Sequence, residues 1–260
     1  MDKKYKLIAT DFDGTLVRDD GKISPKNKDT LKKQKEQGYI TVAVTGRTLG
    51  AVEEIIDLNT FTYLILDNGA YIYDIKRKKI VFKKELQKAV VKEITEELES
   101  EALKIDYCSL NNYYRYKIRK INPPSFIINI DTLDEIKEEV AKINITLKDN
   151  KNIETITKEI GEKYNLNTIV MQDSNIDNKH ISISPKNIDK KESLEKLGEF
   201  LQVNKEEMIF FGDGLNDLEI MEWVGCGVAV KNAFEVVKEK ANYETESNNN
   251  DGVALFLEKL

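Results

Sequence analysis

Short runs of β-branched and aromatic residues, each closed by turn residues, recur at KLIAT (6–10), YITVAVT (39–45), TYLIL (62–66), MIFF (208–211) and GVAV (227–230). Apolar runs of this length without alternation predict buried parallel strands. A well-punctuated helix is predicted after the first run: Ser24 as N-cap, Pro25 at the first helical position and Gly38 as the stop. Strand followed by helix, repeated at both ends of the chain, predicts an α/β sheet wound through crossover helices.

The middle of the chain has another texture. From 83 to 184 it is richer in Lys, Glu and Asn, and its strand-like stretches NYYRYKIRK, SFIINI, NTIVMQ and KHISIS alternate between polar and apolar positions. Helical periodicity predicts helices over Leu86–Ser100, Thr132–Lys142 and Ile153–Tyr164. The expected fold class is therefore α/β: a Rossmann-like parallel-sheet core from residues 1–82 and 185–260, with a second α/β domain, 83–184, inserted. The sheet of the inserted domain is expected to be covered on one face only. No internal repeat points to a solenoid.

Composition narrows the chemistry. The 260 residues carry 40 basic and 46 acidic side chains, net −6, with both signs interspersed. Nothing in that pattern suggests a nucleic-acid surface, and no nucleic-acid partner is expected. The apolar run near the start is too short for a signal sequence or a membrane span, and no later run is long enough, so no membrane partner and a cytoplasmic location are expected. With two distant cysteines, Cys108 and Cys226, and one histidine, His180, a zinc site of several Cys or His ligands is excluded. If the chain is an enzyme, its polar chemistry must come mostly from carboxylates, hydroxyls and lysines, with room for an oxygen-loving metal.

Four aspartates, Asp11, Asp13, Asp19 and Asp20, stand directly behind the first apolar run. The second run delivers Thr45, Gly46 and Arg47, and the fourth delivers Asp213, Gly214, Asn216 and Asp217. Ligands of open parallel sheets bind beyond the carboxyl ends of the strands, so three strand ends aim polar residues at one place. If Asp11, Asp13, Asp213 and Asp217 share a crevice, their repulsion calls for a hard divalent cation, Mg²⁺, with a phosphate in its remaining positions. A calcium loop of the EF-hand type fails, because Leu16 and Lys22 stand where it needs glycine and glutamate. Asp19 and Asp20 read as turn residues. Lys190 begins a predicted helix, where lysine opposes the dipole, which hints at a role in chemistry; Lys191 reads as a solvated residue.

DFDGT (11–15), TGR (45–47), SPKNIDK ending at Lys190 and GDGLND (212–217), in that order, resemble the haloacid dehalogenase-like phosphatase superfamily. DNGA (67–70), GVAVKNA (227–233) and the closing DGVALFLEKL resemble its Cof-type subgroup, which carries a large α/β cap. The resemblance implies Asp11 as nucleophile forming an aspartyl-phosphate and Asp13 as general acid and base. It implies Thr45, the Gly46 amide and Lys190 as phosphate ligands. Asp11, the Asp13 carbonyl and Asp213 would hold Mg²⁺, supported by Asn216 and Asp217. Lys191 and Lys231 depart from glycines frequent in the family and would add positive potential.

In NYYRYKIRK, alternation puts Tyr114, Tyr116 and Ile118 on one face and Tyr113, Arg115, Lys117 and Arg119 on the other. Arg115 and Arg47 are candidate substrate contacts, while His180 reads as structural. The function expected is Mg²⁺-dependent hydrolysis of small phosphorylated metabolites such as sugar phosphates. The alternatives are a phosphomutase using the same intermediate and a non-catalytic phosphometabolite-binding protein. No oligomeric state follows from the sequence.

Overall fold

The computed structural model describes residues 4–172 and 179–260. The chain runs through β1 (Leu7–Asp11), α1 (Pro25–Glu36), β2 (Ile40–Val44), α2 (Leu49–Glu53), β3 (Tyr63–Leu66), β4 (Tyr71–Asp74) and β5 (Lys79–Lys83). There follow α3 (Lys88–Leu98), β6 (Ala102–Cys108), β7 (Tyr113–Tyr116), β8 (Ile127–Ile130), β9 (Lys142–Leu147), α4 (Ile153–Tyr164), β10 (Leu166–Gln172) and β11 (Lys179–Pro185). Last come α5 (Lys190–Leu201), β12 (Met208–Gly212), α6 (Leu218–Trp223), β13 (Cys226–Val230), α7 (Glu235–Lys240), β14 (Tyr243–Thr245) and α8 (Gly252–Leu257). Two compact units divide them: one of Met1–Arg47, Val52–Lys83 and Asp189–Leu260, the other of Thr48–Ala51 and Lys84–Ile188.

The first unit holds an eight-stranded sheet in the order β14-β13-β12-β1-β2-β3-β4-β5. From β14 to β3 neighbouring strands are parallel, and β4 and β5 extend the edge antiparallel. Every residue of β1, β12 and β13 is buried, as continuous apolar runs covered on both faces require. Helix α1 starts as its sequence specifies: the Ser24 hydroxyl accepts the Asn27 N–H at 3.0 Å, Pro25 opens the first turn, and Gly38 leaves it at φ +90°.

The second unit holds a six-stranded sheet, β10-β11-β9-β6-β7-β8. Helices α3 and α4 bury Val91, Ile94, Leu98, Ile153 and Ile160 in one cluster with Ile105, Tyr107, Ile143, Ile145 and Ile181 of the strands. The other face of those strands is polar: Arg115 pairs in register with Asp106, and Asp106 with Asn144.

The helix expected over Thr132–Lys142 does not form. A single 3₁₀ turn, Leu133–Glu135, stands there, and the chain then enters β9. Lys142–Leu147 alternates, placing Ile143, Ile145 and Leu147 in the core between β6 and β11, and pairing on both edges outweighs the weak helical preference of the acidic stretch before it. Among the described residues no helix is long and apolar enough to cross a membrane.

Candidate active site

Strand β1 lies between β12 and β2, with Asp11 opposite Val44 and Thr10 opposite Phe211. Where the three strands end, Asp11, Thr45 and Asp213 therefore emerge side by side. The sheet order departs from β1 in opposite directions through β2 and β12, and such a reversal opens the crevice in which parallel sheets bind ligands.

Lys190 reaches that crevice from the first turn of α5. Asp189 caps the helix, accepting the Glu192 N–H at 2.7 Å, and this offsets the unfavourable lysine at N1. The buried Lys190 ammonium donates to Asp11 Oδ1 at 2.5 Å and to Asp217 Oδ1 at 2.8 Å. The second oxygen of Asp217 accepts the backbone N–H groups of Asp213 and Gly214 at 3.1 and 3.0 Å. Burial pulls the Lys190 ammonium down, but the carboxylates of Asp11 and Asp217 outweigh it and hold it above the usual lysine range.

Carboxylate oxygens of Asp11, Asp213 and Asp217 lie within 4.8 Å of one another. Burial pushes the Asp11 carboxyl well above the usual range despite the opposing charge of Lys190. Burial likewise raises Asp213, although the Thr15 hydroxyl donates to its Oδ1 at 2.6 Å. Among the described residues, the four carboxylates Asp11, Asp13, Asp213 and Asp217 are paired with two cations, Lys190 and Arg47, which leaves two negative charges unmatched by these pairs. The donor set is all oxygen, which suits a hard divalent cation. Asp11 and Asp213 are the side chains fitted to hold it; Asp217, with both oxygens engaged, serves as counter-ion to Lys190 and anchor of the loop. The fit is close: Gly14 sits at φ +83°, and a Cβ there would come within 2.4 Å of Asp213 Oδ2.

Asp13 and Arg47 meet in a bidentate pair, Nε to Oδ2 at 2.9 Å and Nη2 to Oδ1 at 2.5 Å. The Asp13 side chain is 54% exposed. Arg47, expected from the sequence at the substrate, is thus placed on the carboxylate two residues beyond Asp11. Thr45 is buried, and its hydroxyl oxygen accepts the Arg47 N–H at 3.1 Å, which leaves the hydroxyl proton to be donated elsewhere. Asn216 is exposed at the loop tip. In the second unit Arg115 is engaged by Asp106 at 2.7 and 3.0 Å. Lys191 pairs with Glu195 at 2.6 Å and Lys231 with Glu246 at 3.8 Å.

A family of haloacid dehalogenase-like hydrolases matches residues 8–257. The chain belongs to this family. The crystal structure of a haloacid dehalogenase-like hydrolase from Bacteroides thetaiotaomicron superposes with a TM-score of 0.84 at 30% identity, covering 98% of this chain and 99% of its own. The 5-amino-6-(5-phospho-D-ribitylamino)uracil phosphatase YcsE of Bacillus subtilis is 30% identical over 263 residues, 97% of this chain and 94% of its own length. A second Bacillus subtilis phosphatase with the same substrate in its name, YitU, is 29% identical over 275 residues, 100% of this chain and 98% of its own.

In this hydrolase, residues outside these motifs brace the loop behind Asp13. Asp19 is more than a turn residue: its carboxylate accepts the side-chain amides of Asn248 at 3.1 Å and Asn249 at 2.8 Å, so residues from the two ends of the chain lock together. Asn232 donates to the Gly14 carbonyl at 2.7 Å and accepts the Asn248 N–H at 3.0 Å, tying the loop behind Asp13 to the same clamp. Asp20 remains a turn residue, accepting the Lys22 N–H at 3.0 Å. The one sequence signal for the clamp was the run SNNND (247–251), whose amides suit turns and caps as readily.

Proposed function

We propose that this chain is a phosphatase that hydrolyses small phosphorylated metabolites through an aspartyl-phosphate on Asp11, with Mg²⁺ held by Asp11, Asp213 and the backbone carbonyl of Asp13. The observation that carries the proposal is a buried carboxylate at the end of the central strand, held by a buried lysine, with a second and accessible carboxyl two residues on. The phosphatase names of its relatives support the reaction class. The inserted domain, 83–184, is assigned the selection of the leaving group.

Asp11 attacks phosphorus through one carboxylate oxygen, and the bond from phosphorus to the leaving oxygen breaks. Asp13, once Arg47 releases it and it has taken up a proton from solvent, gives that proton to the leaving oxygen. Asp13 then takes a proton from water, which attacks the same phosphorus and frees Asp11. Thr45, the Gly46 amide and Lys190 supply donors to the phosphoryl oxygens, so catalysis is mainly positioning and electrostatic stabilisation. Bound Mg²⁺ supplies compensating charge for the carboxylates and the transferring phosphoryl group.

Two measurements test this. Incubation with Mg²⁺ and a panel of sugar phosphates, together with 5-amino-6-(5-phospho-D-ribitylamino)uracil, should release inorganic phosphate, and EDTA should stop it; silence from every member overturns the proposal. Thr15→Val removes the hydroxyl that orients Asp213, so calorimetric titration should find Mg²⁺ bound about 10- to 100-fold more weakly. An unchanged Mg²⁺ affinity would remove Asp213 from the ligand set.

A further inference from the structure

Three consecutive residues beyond β3 have left-handed backbone: Asp67 at φ +48°, Asn68 at +55° and Gly69 at +109°. Two of them carry side chains, for which this conformation costs of order 1–2 kcal/mol each, less for Asn and Asp than for most. Such strain persists only where surrounding structure imposes it.

What imposes it here is contact with both anion-binding elements of the crevice. On one side the Asp67 N–H donates to the Arg47 carbonyl at 3.1 Å and the Asn68 N–H to the Thr45 carbonyl at 3.0 Å. These two bonds bracket Gly46. On the other side the Gly69 carbonyl accepts the buried Ser193 hydroxyl at 2.7 Å, and a Cβ on Gly69 would come within 2.2 Å of the Asp189 carbonyl. Asp189 and Ser193 belong to the cap and first turn of α5, which deliver Lys190. The turn is thus a brace between the Thr45–Arg47 loop and the lysine. The half-buried Asn68 side chain lies over Gly46: a Cβ there would sit 3.0 Å from Asn68 Oδ1 and 3.4 Å from its Cγ and Nδ2.

We infer that Asn68 is a positioning residue of the reaction: its amide, packed on the Gly46 Cα, fixes the plane of the Gly46 peptide against which the phosphoryl group is held. The inference rests on the phosphatase reading above. It explains why a side chain occupies a backbone conformation that glycine would adopt without strain.

Asn68→Gly separates the two roles, because it eases the left-handed backbone and deletes only the amide. A residue needed for the turn alone predicts unchanged kinetics. The inference predicts a thermal midpoint no lower than the parent's, kcat/KM lower by about 10- to 100-fold, and inorganic phosphate inhibiting in Mg²⁺ more weakly by a similar factor. Asn68→Asp keeps size and turn compatibility and places a negative charge beside Gly46, so its phosphate inhibition should weaken at least as much. Parent-like kinetics and phosphate inhibition in either variant, with an active parent, overturn the inference and leave the phosphatase reading standing. A parent inactive on the whole panel overturns that reading instead, and the inference then stands or falls on inorganic phosphate binding to parent and variants. Should Asn68→Gly fail to fold, Asn68→Asp decides alone.

Discussion

Asp11→Asn protein should release phosphate at least roughly 10⁴-fold more slowly than the parent, yet fold as well or better. The amide cannot serve as the attacking oxyanion, so the covalent route closes. Its carbonyl oxygen can still accept from Lys190, which in the parent donates to Asp11 at 2.5 Å. The substitution also removes a buried negative charge whose carboxyl is already pushed upward by burial, so stability is not sacrificed. Single-turnover phosphate release and thermal unfolding, measured on the same preparation, check both halves. Release within tenfold of the parent would rule out Asp11 as nucleophile.

Lys190→Met should do the reverse damage, to stability as well as to rate. Lys190 is 3% exposed and donates to two carboxylates, and removing one partner from a buried ion cluster strands the others; the cost is about 3–5 kcal/mol. Added Mg²⁺ should recover part of it, because a ligand that binds only the folded state stabilises by mass action and, in the proposed site, would restore positive charge beside Asp11 and Asp213. Urea unfolding followed by the single tryptophan, Trp223 on α6 in the same unit, reports on the right part of the chain. A midpoint unchanged from the parent, with or without Mg²⁺, would mean that Lys190 is not the counter-ion its geometry makes it.

The carboxyl edges of β1, β2 and β12 were legible because their signal is local. An apolar run followed by small polar residues marks a strand and its end, and the three strand ends aimed Asp11, Thr45 and Asp213 at one place, with Lys190 added from its position at a helix start and from the resemblance. The two central strands of the second unit were not legible. Ala102–Cys108 follows α3 with neither proline nor glycine between them, and Lys142–Leu147 follows an acidic, lysine-rich stretch that reads as helix. Each becomes a strand because the other is its partner: Ile105 faces Ile145 and Tyr107 faces Ile143 across the sheet. Such pairing is a tertiary fact, and tertiary context overrides intrinsic preference.

The sequence by itself determined the α/β class, the crossover helix with its Ser24 cap and the carboxylate-rich strand ends. These follow from periodicity, caps and charge, all of which act over a few residues. Only the tertiary structure decided where the charges are neutralised. Lys190 meets Asp11 across 179 positions, and Arg47 meets Asp13 across 34; Asp19 is clamped by Asn248 and Asn249, and Asn68 is laid over Gly46. Partners of this kind are chosen by the sheet order that brings distant strand ends together, and a side chain's place in a sequence carries no record of what will stand opposite it.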